Sequence, residues 1–456
     1  MQLQLFDDKR HILLFEKSKL GKLKAELPIE ELSKLLPTKK NKDYSSWFDN
    51  KAKIALQYLK VYTGQSDEKL LESINANYQY RLFLGMKLDM SEIVKDKNLI
   101  WQTRKFVSEN LDLDQFQIEH IKKWKPEMEN TSLALCDATV YESYIHYPTD
   151  VVLLWECCQF LHKKLKLAAN VLSIRQVRNK YKDLSKVYHV FAKFRRKPKK
   201  LRLRLTKRLL KLINKQLDQL FELLCRIGQS KKESKTLITN EFDTGKIATI
   251  KIIVKQQTSK IVDPDVKIKD RIVSLFKPYL RPIVRGKQRK NVEFGAKVNM
   301  WQVDGLSFIE HHSYSAFHEG ARFNQSLAFH IKHFGELKYF GGDRIYASNR
   351  NRRIVNKLGI STNFAPKGVR KSDATVRKQE DEIRRIISTK RTSEIEGTFG
   401  NDKNHYGMVK NKGRSEKTEK MWLFFAVMLA NGQKKANRRA SKLREAEREK
   451  RIRKVS

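Results

Sequence analysis

Apolar positions Ile54, Ala55, Tyr58, Leu59 and Tyr62 recur at helical spacing, and Thr63-Gly64-Gln65 breaks the pattern. Ser66 then reads as an N-cap, with Asp67 and Glu68 in the first turn, where the helix dipole favours acids. Leu70, Leu71 and Ile74 continue a second helix. Two helices joined by a Gly-containing turn fit a helix-turn-helix, and equally a small bundle with no groove contact. A longer helical region runs through residues 81–86 and on to Trp124, while residues 1 to 45 carry short apolar groups broken by lysines.

Residues 131–141 read as a strand bearing Asp137, and the next clear strand is 298–303. Between them, residues 151–228 are helical by pattern, with Leu205, Leu209, Leu212, Ile213, Leu217, Leu220 and Leu224 on one face. This stretch reads as an insertion into an α/β domain, followed by a helix around 268–279 and a basic link, 285–290. Strands 298–303 and 307–310 form a hairpin with Asp304-Gly305 as its turn. A helix over 315–337, a short strand 338–342 ending in Asp343, and a helix 349–358 closed by Gly359 come next. Strand 360–365 is closed by Pro366-Lys367-Gly368, a charged helix runs from about Thr375 towards Lys403, and 421–430 is a buried helix.

Charge changes the picture. The 456 residues carry a formal net charge of +44, which points to a polyanion: nucleic acid, or a membrane surface. Residues 193–215 hold twelve Lys/Arg and no acid, among them Arg195, Arg196, Lys199 and Lys200. Such a run is usually a solvated face, and its density favours phosphate contact. The tail 432–456 has eleven Lys/Arg against three Glu and reads as an exposed basic helix or a disordered arm. The most apolar run, 421–430, falls far short of the ~20 residues of a spanning helix, and no secretory signal is visible, so no membrane is expected. Cys136, Cys157, Cys158 and Cys225 lack Cys-x-x-Cys spacing and read as thiols of a reducing, cytoplasmic protein.

Three carboxylates stand out against this basic background. Asp137 lies in a strand, Asp343 ends another, and Glu396 sits in the charged helix. A mixed sheet gathers strand ends at one edge, where such a trio would repel itself without a cation. Two Mg²⁺ ions, with Mn²⁺ as substitute, would neutralise it and clamp an in-line phosphoryl displacement. Asp304 also ends a strand, but its turn explains it, whereas Asp343 precedes Arg344 and Tyr346, side chains suited to phosphate or base contact. Phe399 and Lys403 fall on the helical face of Glu396, with Arg391 five residues before it.

At these residues the chain resembles DDE-type transposases of bacterial insertion sequences, over most of its length. Asp137-Ala138-Thr139-Val140 is similar to the first-Asp motif, with Tyr147-Pro148-Thr149-Asp150 a further signature. Asp343-Arg344-Ile345-Tyr346 resembles the second-Asp motif, and Glu396, Phe399 and Lys403 the third. Residues 63–70 and 83–86 look like the helical N-terminal domain of these enzymes. Two positions depart: Ile345 stands where Gly is frequent, and Thr392 holds the place of the upstream basic residue, with Arg391 beside it.

The resemblance implies an α/β, ribonuclease H-like mixed sheet with a large, mainly helical insertion after the first strand. The expected organisation is a helical N-terminal domain (1–125), a catalytic domain (130–431) containing the insertion (150–290), and a basic tail (432–456). Asp137, Asp343 and Glu396 would be the catalytic metal ligands, with Arg344, Tyr346, Arg391, Lys403, Arg195, Arg196, Lys199 and Lys200 on DNA. The implied partners are double-stranded DNA, both terminal inverted repeats and target, and a second copy of the chain. The implied location is cytoplasmic, on the nucleoid. Two rival readings share these features: a non-catalytic DNA-binding relative, and a ribonuclease H-like nuclease that cuts without joining. A strand-transfer assay and the need for divalent metal separate the three.

Overall fold

The computed structural model describes residues 8–37, 48–86, 93–230, 241–284, 292–368 and 373–455; the basic link 285–290 lies outside them. The chain divides into two compact units, Met1–Ser143 with Gly295–Ser456, and Tyr144–Phe294.

The first unit opens with helices α1 (Asp8–Lys17), α2 (Lys19–Glu26), α3 (Ile29–Lys34), α4 (Asn50–Thr63), α5 (Asp67–Ala76), α6 (Tyr78–Leu84), α7 (Leu99–Asn110) and α8 (Leu113–Trp124). Gly64 ends α4 in the left-handed region, and the Ser66 hydroxyl caps α5 by accepting from the Lys69 amide. Nearly every residue of α4 from Ala52 to Val61 is buried. Asp67 of α5 is ion-paired with Lys60 and Arg104. Both helices therefore serve the bundle core. At its centre the Tyr58 phenol meets His120 Nε2 at 2.6 Å, and the rings of Tyr58 and Phe116 pack on Phe425.

The sheet follows. Strand β1 (Leu133–Ser143) is central, with β3 (Val292–Val303) antiparallel on one side and β4 (Leu306–Ser313) antiparallel beyond it. On the other side lie β5 (Tyr339–Gly341) and β6 (Ser361–Thr362), both parallel to their neighbours, giving the order β4-β3-β1-β5-β6. The two-residue β7 (Lys410–Asn411) pairs with the end of β1. Asp304 and Gly305, both at positive φ, make the tight β3–β4 turn that the dipeptide predicts. Helices α13 (Phe323–Phe334), α14 (Asn349–Lys357), α15 (Ala374–His405) and α16 (Glu416–Val455) complete the unit.

Tyr144–Phe294 forms a unit of its own, as an insertion after the first strand should. It contains α9 (Asp150–Val171), α10 (Tyr181–Lys193), α11 (Lys199–Ser230), α12 (Thr244–Val262) and β2 (Pro282–Val284), which pairs with the first residues of β3. Thr149 caps α9, and Asp150 is ion-paired with Arg271. Leu205, Leu209, Leu212, Ile213 and Leu220 of α11 are buried in one core with α9. Trp155 stacks on Tyr181 and Tyr188.

Several expectations change. Residues 268–279 form turns rather than a helix, and 151–228 break into three helices. The helix expected from 315 begins at Phe323, after a 3-10 turn. Helix α16 packs against α2, α4, α7 and α8 as well as β4, within the first unit. Its segment 421–430 is almost wholly buried, and the basic tail continues the same helix. There Lys435 and Arg439 pair with Glu127, and Lys442 with Glu129.

Candidate active site

Side chains alternate along β1, so Leu135, Asp137, Thr139 and Tyr141 share one face. Helix α15 lies along that face and matches it rung by rung. Ile387 and Ile395 pack on Leu135, with Phe399 partly buried beside them. Arg391 Nη2 donates to Asp137 Oδ2 at 3.1 Å. Lys403 Nζ donates to Thr139 Oγ1 at 3.3 Å, and Tyr141 OH donates to Asp402 Oδ2 at 3.0 Å. An apolar seam thus anchors the helix, and a polar ladder sets its register.

Asp343 reaches the same place from β5. Leu135 is level with Gly341 at the end of the parallel β1–β5 pairing, and Asp343 follows two residues beyond it, as the cap of a 3-10 turn. Gly341 leaves room for the seam: a Cβ there would stand 2.7 Å from Leu135 Cδ2 and 2.9 Å from Ile387 Cγ2, so those side chains would have to shift. Just beyond, Asn363 clamps Gly342, accepting from its amide and donating to its carbonyl. Arg391 Nη2 is 3.8 Å from Asp343 Oδ1, so one guanidinium nitrogen faces both aspartates.

Glu396 lies on α15 between Arg391 and Lys403 and is exposed. Its neighbour Ile395 takes the buried position, which turns Glu396 to the helix flank it shares with Lys403. Among the described residues, no three His, Cys, Asp or Glu side chains gather closely enough to hold a metal ion. The two aspartates share one guanidinium; the glutamate stands on the adjoining helix. All three offer oxygen donors, the chemistry of Mg²⁺ rather than of a softer cation.

The opposite face of β1 is a buried hydrogen-bonded network. Tyr346 OH donates to Asn299 Oδ1 at 2.8 Å and meets Cys136 Sγ at 3.1 Å. Asn299 donates to Glu310, whose other oxygen takes Arg322. Tyr346, expected on DNA, is only 1% exposed and packs in the core beneath the site. Arg344, at the start of the same turn, is exposed. Asn299, Glu310 and Asp402 support the site without having been singled out by motif, although an Asn within the apolar run Val298-Asn299-Met300 signals a buried polar partner. Asp402 is 1% exposed, and burial raises its pKa to about 6 despite the Tyr141 hydrogen bond and the nearby Lys434 and Lys403.

Within the inserted unit, Arg195 and Arg196 occupy the exposed loop between α10 and α11, and Lys199 and Lys200 are exposed in the first turn of α11. Here the solvated face and the basic face are the same surface.

No family profile matches the chain, and neither the curated proteins nor the solved structures contain a match. No described helix is long and apolar enough to cross a membrane. The architecture itself carries the comparison: a mixed, curled five-stranded sheet flanked by helices, three strands antiparallel and the rest parallel. That is the broad plan of ribonuclease H-like polynucleotidyl transferases, with a helical N-terminal region, a large helical insertion and a long C-terminal helix added.

Proposed function

We propose that the chain is a DDE-type DNA transposase, cutting at insertion-sequence ends and joining them to target DNA. One observation carries the reading: Asp137 on β1 and Asp343, two residues past the end of the parallel strand β5, both face Arg391 of the helix that carries Glu396. In this reading Asp137 and Asp343, with Glu396 brought in from the adjoining helix, would hold two Mg²⁺ ions, or Mn²⁺ in their place. When bound, such ions activate the attacking hydroxyl and neutralise charge on the phosphoryl group.

The chain's own residues do the rest. Helix α15 fixes the level of the carboxylates through Ile387 and Ile395. Lys403, half-buried on the flank of Glu396, holds a cation for a phosphodiester next to the reacting one. Arg344 is exposed directly after Asp343, where a backbone phosphate would pass. Arg195, Arg196, Lys199 and Lys200 bind the duplex without reading sequence. Two ends must be held together for transposition, so the DNA complex contains two copies of the chain.

The test is incubation of the full chain with candidate end DNA and Mg²⁺, scored for 3′-end release and for joining. Release and joining that need divalent metal, and that vanish in Asp137→Asn while DNA binding persists, are expected. Cutting without joining would instead identify a nuclease, and metal-independent binding without cutting a DNA-binding relative. Cleavage retained in Asp137→Asn would defeat the assignment.

A further inference from the structure

Arg391 faces Asp137 and Asp343 with a single nitrogen, Nη2, at 3.1 Å and 3.8 Å. We propose that Arg391 is a resident counter-cation, which ties the two aspartates together and competes with divalent metal for their oxygens. The inference rests on the reading of this site as a metal centre.

Three features support it. First, both oxygens of Asp137 are engaged, and in different ways. Oδ1 accepts from the Ala138 amide at 2.8 Å, a bond within the strand itself. Oδ2 is the oxygen turned to a cation, and Arg391 covers it. Asp343 Oδ1 accepts from the Arg344 amide at 2.7 Å and faces the same guanidinium. Second, the Asp137 half of the tie is sheltered and delivered in register, while the Asp343 carboxylate is the open half, 58% exposed. The side chains of Arg391 and Asp137 are 16% and 25% exposed, and Ile387 and Ile395 seat the helix one turn to either side. Charges there are screened less than on an open surface.

Third, the guanidinium is incompletely satisfied. Its Nε is buried with no hydrogen-bond acceptor among the described residues. A divalent ion on Asp137 Oδ2 and a guanidinium at hydrogen-bond distance from it repel, and one must leave. A competitor that occupies the site most of the time weakens apparent metal affinity by the fraction of time the site is open. Arg391 therefore sets the metal concentration at which the carboxylates become available. It acts as a positioning residue, through Asp137 and Asp343.

The experiment measures Mn²⁺ binding to the full chain by electron paramagnetic resonance, without DNA and with circular dichroism as the folding check. Arg391→Gln, which removes the charge, should bind Mn²⁺ about tenfold more tightly than the unaltered chain. Arg391→Lys, a cation with a different reach, should fall between them. Asp137→Asn added to Arg391→Gln should abolish the gain. Unchanged or weaker Mn²⁺ binding in Arg391→Gln, with the unaltered chain binding normally, overturns the inference and leaves the metal-dependent reading standing. A gain that survives Asp137→Asn also overturns it, since the ion would then sit elsewhere. Absence of Mn²⁺ binding in every variant overturns both.

Discussion

The phenol of Tyr141 donates to the buried carboxyl of Asp402, joining the central strand to α15 at the end of the ladder that begins with Asp137 and Arg391. Burial holds Asp402 at a pKa of about 6 in the folded chain, above the ordinary value of 3.8. The folded state therefore binds this proton more tightly than the unfolded state. Its share of stability is greatest below pH 4 and is lost as pH rises through 6. Asp402→Asn keeps an acceptor for Tyr141 and removes the charge. Chemical denaturation should show the variant more stable at pH 7 by on the order of 1–3 kcal/mol, with the gap closing towards pH 4.

His120 works in the opposite sense. Burial lowers its pKa to about 3, so the folded chain keeps it neutral. Its Nδ1–H donates to the Phe116 carbonyl, which leaves Nε2 to accept from Tyr58. The unfolded chain takes up a proton near pH 6.5 and the folded chain does not, so this stability is present above pH 6.5 and is lost as pH falls towards 3. Tyr58→Phe strands the Nε2 acceptor in the core. A loss of about 1–3 kcal/mol at pH 7 is expected in denaturation midpoints.

Gly341→Ala should damage the site without touching a charged residue. The added methyl meets the side chains of Leu135 and Ile387, the seam that seats α15, so that seam must repack. Overpacking of this kind costs about 1–3 kcal/mol. In an end-cleavage assay the variant should lose kcat far more than DNA affinity. A fall in affinity alone would contradict the placement of Asp343 by β5.

The basic loop of the inserted unit makes a salt prediction. Neutralising Arg195, Arg196, Lys199 and Lys200 together should reduce the slope of log affinity against log salt for duplex DNA by about three to four, near one for each phosphate no longer neutralised. Metal-dependent activity at saturating DNA should persist. An unchanged slope would assign those residues to solvent.

Much of the site's framework was legible because it is written locally. Asp304-Gly305 specifies its turn, Gly359 its helix end and Ser66 its cap, and each depends on the backbone preference of one or two residues. The strand holding Asp137, the short strand before Asp343 and the long helix with Glu396 could also be read from periodicity. Tyr346 could not. Spacing from Asp343 says that an aromatic follows by three, but only the 3-10 turn Arg344–Tyr346 sends it under the sheet to Asn299. The union of the N-terminal helices with the sheet was equally hidden, because it is made by α16, whose partners lie hundreds of residues away. Helical period grouped Glu396 with Lys403, yet it could not tell that Ile395 takes the inward position between them and Arg391.

The level pairing of Leu135 with Gly341 has a consequence for how this chain can vary in length. Strand side chains alternate, so deleting or adding one residue between Lys338 and Asp343 would point the carboxyl to the far side of the sheet. Between β1 and β3, by contrast, the fold accommodates an entire extra unit. Insertions and deletions among related chains should therefore crowd into the stretch after Ser143 and spare the half-dozen positions that deliver Asp343.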